Sequence, residues 1–132
     1  MSRSTILLAR GGGVFIIVLI AALMTRGAYV ISSTVANEPV MLAYAIISLA
    51  IGVAMIVGHN VWSGGLLPVV VSLVGWLIFM KGVVLLLLPG EALSLALGQM
   101  HYNGHFYLYL APSFVLGLYL AWAGFTTPIR DR

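Results

Sequence analysis

The sequence predicts an all-α fold: a four-helix transmembrane bundle with a short interfacial helix between helices 3 and 4. Three observations predict it. Hydrophobic residues make up 62 % of the chain and charged residues 7 %, against roughly 25 % charge in a soluble domain. No Asp, Glu, Lys or Arg stands between Glu38 and Lys81, or between Glu91 and Arg130. Four apolar segments are each long enough to cross a hydrocarbon core of roughly 30 Å, which takes about 20 helical residues. So few charges cannot clothe a water-exposed surface, and residues 1–132 read as a single integral membrane domain.

The first span covers about 6–30. Arg10 and Arg26 bracket its most apolar stretch at a separation of about 24 Å on a helix rising 1.5 Å per residue. Each arginine can therefore reach its own headgroup layer. A basic start, an apolar run and then Ser-Thr-Val-Ala also give this segment the look of a signal peptide, and the expectation is that it is retained. The second span covers about 40–58. It opens at Asn37-Glu38-Pro39, which supplies a cap, an acid for the positive helix end and a first-turn proline. The third covers about 66–88, with Pro68 in its first turn and Pro89-Gly90 as a stop. The fourth covers about 105–125; Pro112 inside it frees the carbonyl of Leu108. Between the last two spans, about 91–101 is too polar to cross and too apolar for an ordinary loop. On a helical wheel Glu91, Ser94, Gly98 and His101 fall within about 80° of one another. That pattern suits a short helix in the headgroup layer, and Asn103-Gly104 reads as a turn into the last span.

Four spans put both termini on one face, with Arg3, Arg10, Arg130 and Arg132. Arg26, Lys81, Glu38 and Glu91 fall on the other. The positive-inside rule then puts both termini and the His59 turn in the cytoplasm.

Several functions are excluded or disfavoured. A net charge of +3 spread over few residues forms no basic patch, so no nucleic-acid partner is expected. Without cysteine there is no disulfide, thiolate metal site or cysteine nucleophile. Gly11-Gly12-Gly13 lacks the strand and lysine of a phosphate loop. No nucleophile and base can be proposed at one membrane depth, so the chain reads as a non-enzyme, and no cofactor is expected.

The remaining candidates are few. Lys81 lies roughly 12 Å inside the outer end of the third span at 1.5 Å per residue. A charge at that depth either snorkels, pairs with Glu91 or Glu38, or lines a path for an ion, proton or substrate. With Glu91 and His101 it could form a polar vestibule. His101 and His105 have the i, i+4 spacing of a metal pair, but Asn103-Gly104 interrupts the helix such a pair needs, so no metal site is expected. His59, Asn60 and Trp62 crowd one turn, either as a structural turn with an interfacial tryptophan or as a contact point for a partner or lipid headgroup. Gly75 with Gly82, and Gly117 with Gly124, each lie on one helix face and mark packing surfaces. Tyr102, Phe106, Tyr107 and Tyr109 form one aromatic belt, and Trp62, Trp122 and Phe125 the other.

The run Gly58-His59-Asn60-Val61-Trp62-Ser63-Gly64-Gly65, then Gly75-Trp76-Leu77, Lys81-Gly82 and Pro89, resembles uncharacterised small bacterial four-helix inner-membrane proteins. The resemblance covers about 40–90 and rests on the order H-N-x-W, G-W, K-G, P. It implies a bacterial inner-membrane protein and brings no activity with it. Four-helix multidrug exporters carry an acid in their first span, and this first span has none. The expectation is an accessory or scaffolding subunit whose partners are the lipid bilayer and other membrane subunits or further copies of itself. The alternatives are a small channel or transporter around Lys81, and a haem- or quinone-binding redox subunit.

Overall fold

A computed structural model describes residues 2–128; Arg130 and Arg132, which enter the charge asymmetry above, lie outside the described residues. The described chain is helical throughout: α1 (Arg3–Arg26), α2 (Tyr29–Ala36), α3 (Glu38–Gly58), α4 (Leu66–Leu87), α5 (Gly90–Gln99) and α6 (Phe106–Thr126). By length and composition α1, α3, α4 and α6 can each cross a membrane.

Local chemistry accounts for the boundaries. The Ser2 hydroxyl accepts from the Thr5 amide at 3.2 Å and caps α1. At the other end Gly27 takes φ 77°, where a side chain would be strained, and the helix stops. Helix α1 therefore begins before residue 6 and ends at Arg26, short of the 30 expected for the first span. The segment after Gly27 forms the separate helix α2, which the sequence reading did not foresee. Its Ser32, Ser33 and Thr34 hydroxyls donate to the carbonyls of Tyr29, Val30 and Val30. Polar side chains that look loop-forming are thus satisfied inside a helix. Asn37 Oδ1 accepts from the Val40 amide at 3.3 Å and starts α3, with Glu38 in its first turn. Gly64 and Gly65, at φ 88° and 120°, make the reversal into α4. Leu88 is extended before Pro89, as the clash with a proline ring requires, and α4 ends there.

The long helices pack as two pairs, α3 along α4 and α1 along α6. Small residues form both seams. A Cβ at Gly82 would lie 2.6 Å from the Leu49 amide nitrogen, and one at Gly52 would lie 2.5 Å from Phe79 Cα. In the other pair a Cβ at Gly13 would collide with the Ala121 amide nitrogen and lie 2.8 Å from Ala121 Cα. One at Gly124 would lie 2.9 Å from the Arg10 amide nitrogen. Gly75 faces Met55 and Gly117 faces Ile16 in the same seams. Between helices as apolar as lipid, such close backbone approach is a main source of attraction.

The two pairs meet where α1 and α4 begin and α6 ends, around Ala9, Leu67, Val71, Val74, Leu120 and Ala123. Arg10 fastens this end. Its guanidinium donates to the carbonyls of Gly124 at 2.8 Å and Thr127 at 3.1 Å, and it lies over the Phe125 ring. A cation thus meets the negative end of α6. At the opposite end α1 and α6 close around Ile20, Phe106 and Leu110. There α2 packs on both α3 and α5, with Gly90 against the Val35 carbonyl.

Burial is shallow. Only 22–28 % of the most apolar window of each long helix is buried. The rest displays side chains such as Phe15, Val18, Ile46, Val57, Leu77 and Val115 outward. A surface of that character is suited to lipid or other helices, not water.

Candidate functional site

Among the described residues, three polar places bear on the site residues that the sequence singles out. The first is the α3–α4 turn. His59 is only 3 % exposed, and its Nε2 lies 3.3 Å from the Pro68 carbonyl oxygen. A carbonyl has no proton to give, so Nε2 is the donor. Ser72, 1 % exposed, accepts from the Val61 amide at 2.8 Å and donates back to the Val61 carbonyl at 2.9 Å. Asn60 Oδ1 accepts from the Trp62 indole at 2.6 Å and the Trp76 indole at 3.4 Å. Each of His59, Asn60 and Ser72 therefore ties the turn within itself or to the first three turns of α4. The His59, Asn60 and Trp62 cluster that the sequence singles out is brought together. Its partners Pro68, Ser72 and Trp76 were not anticipated; a lone serine inside an apolar helix was the available signal for Ser72. Among the described residues no buried side-chain nitrogen or oxygen lacks a partner.

The second place is Lys81. Its ammonium donates to the Tyr44 hydroxyl at 2.8 Å and lies 4.4 Å from the Tyr44 ring centre. Both side chains are exposed, Tyr44 on α3 and Lys81 on α4. Lys81 sits in a stripe with Leu73, Leu77, Met80 and Val84, all outward. It lies about two turns beyond Val74 of the junction, toward the opposite end of α4.

The third place lies at the α2–α5 end. A cavity of about 380 Å³ is lined by Ser32 of α2, Ser94, Leu97 and Gly98 of α5, and His101, Tyr102, Asn103, Gly104 and His105 of the turn into α6. His101 has φ 48°, a left-handed conformation uncommon for a residue with a side chain. This turn separates the two histidines from any shared helix, as Asn103-Gly104 predicts, yet both still line one cavity. Their Nδ1 atoms face carbonyls: His101 that of Gln99 at 3.1 Å, and His105 that of His101 at 3.4 Å. Tyr102 stacks on Tyr109 at 5.3 Å, and burial pushes its hydroxyl above its ordinary pKa. Glu91, on α5 one turn before Ser94, is exposed. Among the described residues no three His, Asp or Glu side chains gather as a metal cluster.

Of the three residues grouped as a vestibule, Lys81 is bonded to Tyr44, Glu91 is exposed at the start of α5, and His101 lines the α2–α5 cavity. The four glycines Gly75, Gly82, Gly117 and Gly124 lie buried at the helix seams. Comparison with protein-family models, curated proteins and solved structures returns no match.

Proposed function

We propose that this chain is a non-enzymatic accessory or scaffolding subunit, built into a larger bacterial inner-membrane complex or assembled with copies of itself. In this reading it crosses the membrane four times as a bundle, keeps both termini in the cytoplasm and lays α5 in the outer headgroup layer. The observation that carries the proposal is the exposed surface of α3 and α4. It is broad, apolar and mostly unburied, and it displays one cation, Lys81, among leucine, methionine and valine. An ammonium inside the hydrocarbon boundary is costly unless it reaches headgroups or meets an acid or acceptor. The Tyr44 hydroxyl is a neutral partner and leaves the charge uncompensated. A neighbouring helix carrying a carboxylate at that depth would complete the pair.

The polar turn at His59 supports the same reading. Its groups are spent on one another, so it holds α3 against α4 and presents Trp62, 52 % exposed, at the membrane boundary. Native mass spectrometry of gently extracted protein tests the proposal: fixed partner or copy numbers support it, and a lone chain carrying only lipid opposes it.

A further inference from the structure

We propose that the α2–α5 cavity binds a divalent transition-metal cation of the zinc and copper class through Nε2 of His101 and Nε2 of His105. The inference rests on where the protons are. A carbonyl oxygen can only accept, so both Nδ1 atoms facing carbonyls carry the ring hydrogen. In the neutral ring that leaves Nε2 of each histidine as a bare lone pair. Metal-binding histidines are commonly held this way, with the far nitrogen anchored on a carbonyl so that tautomer and ring orientation are set beforehand.

The hydroxyls around the cavity point to the same ligand. Ser94 Oγ donates its hydrogen to the Gly90 carbonyl at 2.8 Å, and Ser32 Oγ donates to the Tyr29 carbonyl at 3.0 Å. Both serine oxygens therefore offer lone pairs only. Two imidazole nitrogens and two hydroxyl oxygens belong to residues lining the cavity, beside the Tyr102 hydroxyl and the Asn103 side chain, and as acceptors they suit a cation. Glu91 adds a negative charge on the Ser94 face of α5. Imidazole donors select zinc, copper, nickel or iron over magnesium or calcium. Two nitrogens do not fill a coordination sphere, so water or the serine oxygens occupy the other positions. His101, in a left-handed backbone conformation, and His105 both line this cavity. This proposal is independent of the assembly proposed above.

The test uses the full-length, tag-free protein in lipid nanodiscs, titrated with Zn²⁺ by calorimetry and with Cu²⁺ by electron paramagnetic resonance. The expected result is one ion per chain, with hyperfine structure from two nitrogens. His101→Gln and His105→Gln should each reduce the signal to one nitrogen and weaken binding at least about tenfold, since even outer-shell changes at metal sites cost that much. Circular dichroism and elution volume verify folding of the variants, and the two-nitrogen spectrum of the unaltered protein stands without them. Absence of stoichiometric binding, a spectrum without two nitrogens, or binding that folded variants retain in full would overturn the proposal.

Discussion

Gly11, Gly12 and Gly13 are consecutive in α1, yet alanine should act differently at the first two positions and at the third. A Cβ at Gly11 or Gly12 meets nothing within 4 Å. Alanine there removes the backbone freedom of glycine in a helix interior and should stabilise the fold by about 0.5–1 kcal/mol. At Gly13 the same methyl would collide with the backbone of Ala121 on α6, which cannot rotate away. The helices must separate, and overpacking of this kind costs about 1–3 kcal/mol. The propensity gain is shared by Gly12→Ala and Gly13→Ala, so it cancels between them. What remains is the clash, a difference of roughly 5- to 150-fold in the unfolding equilibrium. Unfolding in bicelles by added SDS, followed by tryptophan fluorescence, reads it directly. Gly13→Ala should unfold at lower SDS than Gly12→Ala. Equal midpoints would refute the close pairing of α1 with α6, and with it the arrangement of the two helix pairs.

Two further substitutions test the polar fastenings. Ser72→Ala removes the two hydrogen bonds that join α4 to Val61 of the α3–α4 turn, and should destabilise the protein by about 1–2 kcal/mol in the same assay; an unchanged midpoint would mean that the other ties of the turn suffice. Arg10→Lys keeps the charge but loses the forked donors that reach the Gly124 and Thr127 carbonyls. Lysine should recover less than half of the stability lost in Arg10→Met, because a point charge cannot span both acceptors, and full recovery would reduce Arg10 to a simple charge.

How much of this was legible in the sequence depended on how local the physics is. Asn37-Glu38-Pro39 marks the start of α3 because cap, charge and proline act within one turn. Pro89 marks the end of α4 because it restricts only the residue before it. Helix α2 was hidden because Ser32, Ser33 and Thr34 look like loop residues until their hydroxyls find the carbonyls one turn back. The seam glycines of α4 and α6 could be read from spacing, but their partners Gly52 and Gly13 could not, since those depend on which helices pair. Likewise His59, Asn60 and Trp62 declare a polar turn, whereas Trp76 joins it only once α4 folds back alongside. The helical spacing rule for His101 and His105 assumes a continuous helix, so it could not see that a turn brings both to one cavity.

The central claim is that the exposed surface of α3 and α4 bearing Lys81 is made to be covered by protein. Native mass spectrometry of the chain extracted from its own membrane, compared with Lys81→Met, tests that most directly. The account predicts a complex of fixed stoichiometry for the unaltered chain, and its dissociation in a variant that keeps the same helical content. A single chain with bound lipid in both samples, or a complex untouched by Lys81→Met, would contradict it.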